Sequence, residues 1–600
     1  MPNVSSVTDN FFPTAYENTV PMTLTSTITA GATTVAVTGA TNYTNGEVVC
    51  WTIDPTTPSL KQVFTGVWNS GSSEVTNVVW TEVPTGGSNV GHSAGATIID
   101  YVSATHWDIA MKGILSFATQ AGGLQTSAVQ AALNISNLAA NGWNNLGYTT
   151  TYGSNNGNKE FTVTCTGNLT TVLSPGMKMN FTRGTTPPTE CMAFSSASSQ
   201  YASISSPSGI TFTSAFTCEA WVYLLSYPAS GQPAGIISRS DNSTGGWQFL
   251  ISNVTGGPEV AYASSSNFTS AVSYQAIPLN QWVHVAAVVS SVSGKTMSIY
   301  INGTLVPSYV NQNSSTALTQ TGNLEIGAVA TVSNSYLNGY VSEARVWSVA
   351  QTQANIQANM AINLTTATNL VACYQGNGAW TDSSGNSNTL TAEGGAINNQ
   401  ANNPFNAIEY GVITKVSYSN PTTTITLFTG NSNTIPNQTL SSPQYSVVKA
   451  PYGFPTGRDN WTLVLTLLSQ VDTSGTSPNT IYNPGGVYIA IPTGSWNLTG
   501  QLMPYVASSS SIVNMAAGLS TSSSAFILGS NLAAQQTNQY SNSAPNIYTL
   551  LVRANINLSA LTNYYLLIVS SAYFSTLAFG GNTSTEYPDQ TTILAECGYI

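Results

Sequence analysis

The chain has 600 residues, of which only 6% are Asp, Glu, Lys or Arg, and its formal net charge is −11; roughly 25% charged residues is ordinary for soluble proteins. The 12 basic residues are scattered singly from Lys61 to Arg553, so no stripe tracks a phosphate backbone and no polybasic patch meets anionic lipid; neither nucleic acid nor a lipid surface is expected as a partner. Apolar runs such as Tyr564–Val569 are far too short to span a bilayer, so no membrane insertion is expected.

Hydrophobic residues make up 42% of the chain, enough for real cores, and its length predicts three to five domains. Ser, Thr, Asn and Gly supply the missing polarity, which gives a surface that depends little on salt or pH. Met1-Pro2-Asn3-Val4 opens no secretory signal, and sequons such as Asn302-Gly303-Thr304 then follow from an Asn/Thr-rich composition. Cys50, Cys165, Cys191, Cys218, Cys373 and Cys597 are widely spread without a Cys-x-x-Cys pair, so reduced, buried thiols are expected. An exterior type of surface on an unsecreted chain points to release by lysis, and hence to a virion.

In chain order, residues 1–102 carry strand signals at Thr33–Thr38, Gly46–Ile53 and Ala96–Val102 and read as an N-terminal β attachment domain. A short helical connector is expected over 103–145: Trp107, Ala110, Met111, Ile114 and Leu115 form one helical stripe, Thr105 and Asp108 suit a capping box, and a weaker helix runs to Gly142. Strands are expected at Glu160–Thr166, Thr170–Leu173 and Met177–Thr182, and a hairpin at Glu409–Tyr418 and Thr422–Phe428. Neither 146–190 nor 403–455 has enough strands for its own core, so the two are expected to pair as one small β domain interrupted by the unit 191–402. Past a turn-rich hinge at Pro451–Pro455, about eight strands in 456–600 suit a C-terminal jelly roll. The fold class is therefore all-β and multidomain, built of antiparallel β-sandwiches.

The clearest pattern lies in 282–303, where Trp282, His284, Ala286 and Val288 alternate with Val283, Val285, Ala287 and Val289, as in a strand inside a sandwich. Asn302-Gly303 is a type I′ turn signal that completes a three-strand meander. Together with Phe216–Val222, Leu324–Gly327, Leu337–Trp347, a helical Thr352–Met360 and Asp382–Asn386, this unit resembles the laminin-G-like, or concanavalin-A-like, lectin superfamily. The resemblance implies a two-sheet antiparallel sandwich. Gly91–Thr97 resembles the N-terminal region of siphophage tail proteins, Ser174–Met179 and Ala595–Ile600 resemble modules of metagenomic phage proteins, and the C-terminal domain resembles the trimeric jelly rolls of the complement and tumour-necrosis-factor type.

Gly91-His92-Ser93-Ala94-Gly95 fits the letter of a hydrolase nucleophile elbow, but a Gly/Ser loop precedes it and a β-like run follows, so a structural turn is expected and no catalytic residue is assigned. His284 reads as a core histidine. Glu219 and Glu343 are expected to pair with Arg345 or with backbone donors. Ser240–Ser243 and Asp382–Asn386 are the stretches that fit calcium, with Asp241 and Asp382 as ligands, against the plainer reading of an Asx-turn in each. Trp247, Tyr262 and Tyr274 are the rings offered for stacking on sugars, against the plainer reading of core. The resulting expectation is a non-enzymatic phage tail-fibre or receptor-binding subunit. It forms a homotrimer, attaches to other virion proteins through its N-terminal domain and grips a bacterial surface glycan. A purely structural capsid or tail decoration protein and a fibre-borne polysaccharide depolymerase are the alternatives.

Overall fold

The computed structural model describes residues 22–100, 143–446 and 461–599, apart from short stretches within them, the longest being 581–589. The chain divides into two units, Met1–Ile135 and Ser136–Ile600. The helices expected between Thr105 and Ala139, and the hinge Pro451–Pro455, lie outside the described residues.

In the first unit six strands close into a small barrel in the order Met22–Leu24, Thr34–Thr38, Glu74–Glu82, Gln62–Asn69, Val48–Ile53 and Thr97–Asp100. Alternation sends Val35, Val37, Trp51, Ile53 and Phe64 inward, all at most 1% exposed. The Gly91–Gly95 segment is a turn, as expected: His92 is buried and bridges Ile28, and Gly95 holds φ at +86°. Its Nδ1 lies 2.7 Å from Asp54 Oδ2 and its Nε2 lies 2.8 Å from Gln62 Oε1, which leaves no ring nitrogen for the exposed Ser93.

The second unit begins and ends its first module with interleaved strands. Lys178–Arg183, Ile408–Ser419, Thr422–Phe428, Glu160–Thr166, Thr150–Gly157 and Thr439–Ser446 are neighbours in that order, and Lys178–Arg183 also pairs with Thr439–Ser446. Strands from either side of the sandwich thus share one closed sheet around Phe161, Val163, Phe181, Ile413 and Leu427. Two elements differ from expectation. Thr170–Leu173 is a turn in which Leu173 N donates to Leu169 O at 2.8 Å, and Thr150–Gly157, rich in Asn and Gly, is a strand.

Between these strands stands a sandwich of two eight-stranded antiparallel sheets. The first contains the expected meander, Trp282–Ser291, Thr296–Ile301 and Thr304–Val306, beside Phe216–Leu224 and Gly339–Trp347. Asn302 (φ 47°) and Gly303 (φ 70°) make the turn, both in the left-handed region that a type I′ hairpin requires. The second sheet runs Ser308–Asn311, Thr269–Ser273, Pro258–Ala263, Gly246–Ile251, Ala234–Ser240, Leu324–Ile326, Tyr201–Ile204 and Thr391–Glu393. Val283, Val285, Ala287 and Val289 face the other sheet in a dry core, while Ala286 and Val288 pack under Ile356 of the helix Gln353–Asn359. Thr352 caps that helix by accepting a hydrogen bond from Asn355 N at 3.2 Å.

The C-terminal module has one core enclosed by three small antiparallel sheets. Two successive strands there, Gly494–Leu502 and Pro504–Ser508, belong to different sheets. All six cysteines are buried.

Candidate functional site

The sandwich is poor in acids, so the places where they gather are informative. On the outward face of the first sheet, Glu219 and Arg345 are cross-strand partners, and a bulge opposite Glu219 with Glu343 in the left-handed region (φ 52°) turns that carboxylate to the same side. Arg345 donates through Nε and Nη2 to Glu343 Oε2 at 3.1 and 2.6 Å, and through Nη1 to Glu219 Oε1 at 3.3 Å. Trp347 Nε1 donates to Glu219 Oε1 at 3.0 Å, and His284 Nε2 lies 3.5 Å from Oε2. The carbonyls of Asn359 and Ile362, behind the helix, take the remaining guanidinium hydrogens at 3.0 and 2.5 Å and close the cluster from above. Glu219, His284, Glu343 and Arg345 are each 1% exposed. Burial opposes ionisation of Glu219, but His284, Arg345 and Trp347 outweigh it and hold the carboxyl down to about 2. Burial pushes His284 below its ordinary range. A neutral imidazole and a bonded carboxylate with no route to solvent make this a structural pin.

The outward face of the second sheet is built differently. Its strand register sets Ser203, Glu325, Ser238 and Gln248 in one cross-strand row, which continues through Ala261 to Ser270. The middle of this row is under a tenth exposed, while the end at the edge strand Thr391–Glu393 reaches solvent. There Tyr201 opposes Glu393, and Ser203 opposes both Glu325 and Thr391. Tyr336 lies beside Tyr201 with ring centroids 6.0 Å apart and planes tilted by 33°. Both rings and Glu393 are partly exposed, and Glu325 is 7% exposed. Burial, reinforced by the charge of Glu393, pushes the Glu325 carboxyl up to about 7. Burial and then both carboxylates raise the Tyr201 phenol as well. Two ring faces, two hydroxyl side chains and a carboxyl poised between donor and acceptor can stack on a sugar ring and hydrogen-bond its hydroxyls.

The ring residues singled out from sequence fall elsewhere. Trp247 and Tyr262 are cross-strand partners on the inward face, both 0% exposed. Trp247 packs against Phe216 and Phe212 at 5.7 and 5.9 Å, and Tyr262 Oη donates to Val292 O at 2.6 Å. Neither offers a face to a ligand, which corrects the stacking role expected of them; the alternation that puts Gln248 outward puts Trp247 inward. Tyr274 is partly exposed, 5.4 Å from the Tyr309 ring, and packs against the C-terminal module at Val471 and Gly485. Its phenol is raised by burial and then by Asp472.

Asp382 is an Asx-turn residue. Its Oδ1 accepts from Cys373 N and Ser384 N at 2.9 Å each, and its Oδ2 accepts from Asn388 N and Nδ2 at 3.3 and 3.2 Å. Those four bonds fill the acceptor sites of a carboxylate, so the residue does not fit a calcium ligand. Asp241 N donates to Gly245 O at 3.2 Å, and residues 242–244 of that loop lie outside the described residues. Among the described residues no group of three or more His, Cys, Asp or Glu side chains could hold a metal ion.

Sequence reasoning passed over Tyr201 and Tyr336, and it counted Glu325 and Glu393 only among the scarce acids of the sandwich, with no site assigned to them. The alternation Leu324-Glu325-Ile326 and Tyr201-Ala202-Ser203 marks which side chains face outward, but the pairing of three strands over 190 positions is not written locally.

A model of the concanavalin A-like lectin/glucanase superfamily, of laminin G type, matches residues 196–357. No curated protein matches the chain. Among solved structures, a candidate carbohydrate-binding protein from Bacteroides ovatus is similar at 15% identity and TM-score 0.27, over 61% of this chain and 92% of that one. The SAP-like pentraxin of Limulus polyphemus is similar at 15% identity and TM-score 0.22, over 37% and 93%. Domains LG4-5 of the mouse laminin alpha1 chain are similar at 8% identity and TM-score 0.22, over 66% and 90%. Such values carry nothing about ligands. The central module of this chain is a concanavalin A-like lectin sandwich.

Proposed function

We propose that the chain is a non-enzymatic adhesin that binds glycan at the Tyr201–Tyr336 edge of its lectin-type sandwich. The observation that carries this reading is a solvent-reaching group of paired rings with carboxyl and hydroxyl side chains at the open edge of the sandwich's second sheet. In its fuller form the adhesin is a homotrimeric tail-fibre or receptor-binding subunit of a phage virion, attached through its N-terminal barrel and gripping a bacterial surface glycan. The low-charge, hydroxyl-rich composition supports that setting. Three linked copies would turn weak single sites into strong attachment without new contacts.

A second reading, a fibre-borne depolymerase, draws on the same corner, since an acid raised to about 7 beside a second carboxylate resembles a glycosidase pair. Glu219 and Glu343 give it no support, because both are already bonded to one guanidinium. Glu259, also raised to about 7 by burial, stands three strand spacings from Glu325, about 14 Å, beyond the reach of such a pair. Retention on immobilised host polysaccharide, with chain length followed in the same samples, separates the two: an adhesin is retained and leaves the polymer intact, whereas a depolymerase shortens it.

A further inference from the structure

The first, central and C-terminal modules of the second unit meet at the turn Asn158-Lys159, where both residues hold left-handed backbone (φ 47° and 67°). Asn158 N donates to Asn302 O of the sandwich turn at 2.9 Å, and Asn158 Nδ2 donates to Ala490 O of the C-terminal module. The sandwich in turn bonds the C-terminal module directly, through Ala276 N to Thr466 O at 3.0 Å and Gln275 Nε2 to Val464 O at 3.2 Å. Beside these four hydrogen bonds lies a cleft of about 40 Å3 lined among others by Lys159, Asn158, Gln275, Gln281, Asn302 and Tyr488. That volume holds roughly three waters, or one small ion with its remaining water.

The lining residues are rich in amides and include one lysine, and among the described residues no Asp, Glu, His or Arg belongs to them. Glu160, next along the chain, is engaged elsewhere: its Oε1 accepts from Asn156 Nδ2 at 2.7 Å and its Oε2 from Thr493 N at 2.5 Å. Burial alone pushes the Lys159 amine down to about 7. A desolvated ammonium with no counter-charge is costly, and a bound anion removes that cost. We propose that this cleft binds one small monovalent anion, held by Lys159 and the surrounding amides, and that the anion fastens the three modules to one another. Its size admits a halide or a one- or two-carbon carboxylate. The anion is held below pH about 7, where Lys159 is charged, and released as pH rises above that value; Tyr488 is the other titratable group facing the cleft.

The test uses the full chain. Its thermal midpoint is measured near pH 6 in sodium chloride, in sodium formate and in sodium gluconate, whose anion is too large to enter, at equal ionic strength. A rise of about 3 °C in chloride or formate over gluconate is expected, identifying a halide or a carboxylate ligand respectively. The rise should vanish near pH 9 and in Lys159→Met. An equal rise in Lys159→Met, or none in the native chain, overturns the proposal. Should that variant not fold, a bromide soak of native crystals decides: an anomalous peak beside Lys159 Nζ supports the site, and its absence there overturns it.

Discussion

The two sheets of the sandwich use the same kinds of residue for opposite ends. On the first sheet, Glu219, Glu343, Arg345 and His284 are sealed under a helix, bonded to one another and to backbone carbonyls. On the second, Glu325, Glu393, Tyr201 and Tyr336 gather at an edge strand that no helix covers among the described residues, where no described guanidinium holds the Glu325 carboxyl down. What lies above the sheet decides the chemistry. A cover and a counter-charge make a pin that fixes strand register; an open edge with unmatched acids leaves hydrogen-bonding capacity for a ligand.

Substitutions should divide along that line. The largest effect is expected at Arg345→Met, which strands two buried carboxylates and should cost about 3–5 kcal/mol by chemical denaturation. Trp247→Ala should cost a similar ~3–5 kcal/mol through the cavity it leaves, and should alter glycan retention only in proportion to unfolding. Tyr201→Ala or Tyr336→Ala should reverse that pattern, with roughly tenfold weaker glycan binding and under about 0.5 kcal/mol of stability lost. A Tyr201→Ala protein that melts early yet still binds would place these rings with the pin.

The smallest effect concerns proton linkage. Folding raises the Glu325 carboxyl from its ordinary 4.5 to about 7, so its favourable share of stability is full below about 4.5 and is lost as pH rises through about 7. Glu325→Gln should flatten that part of the stability profile, and an unchanged slope would show that other groups carry it.

Much of this architecture is legible in the sequence where the signal is local. The meander 282–306, with its Asn302-Gly303 turn, stands where period-two alternation and turn chemistry put it. So does the capped helix after Thr352. Thr150–Gly157 escaped because Asn and Gly are poor strand formers; it is a strand through its hairpin with Glu160–Thr166, to which Thr439 and Leu440 add a distant partner at one end. The ring candidates failed for a related reason. Aromatic identity was visible at Trp247 and Tyr262, but which face of each strand meets the core is settled by packing against the other sheet, and both rings fall on the buried face. Pairing of Arg345 with the two glutamates was readable because all three lie in recognisable strand segments. The Tyr201 edge was not, since it joins strands at 201–204, 324–326 and 391–393.

The central claim, that a covered acid cluster braces the sandwich while the uncovered one binds sugar, is tested most directly by affinity electrophoresis through host surface polysaccharide. The native chain and Tyr201→Ala/Tyr336→Ala are run side by side, and the polymer is sized afterwards. Retardation of the native chain alone, with polymer length unchanged, is the predicted result. Equal retardation of both proteins, or a shortened polymer, would contradict it.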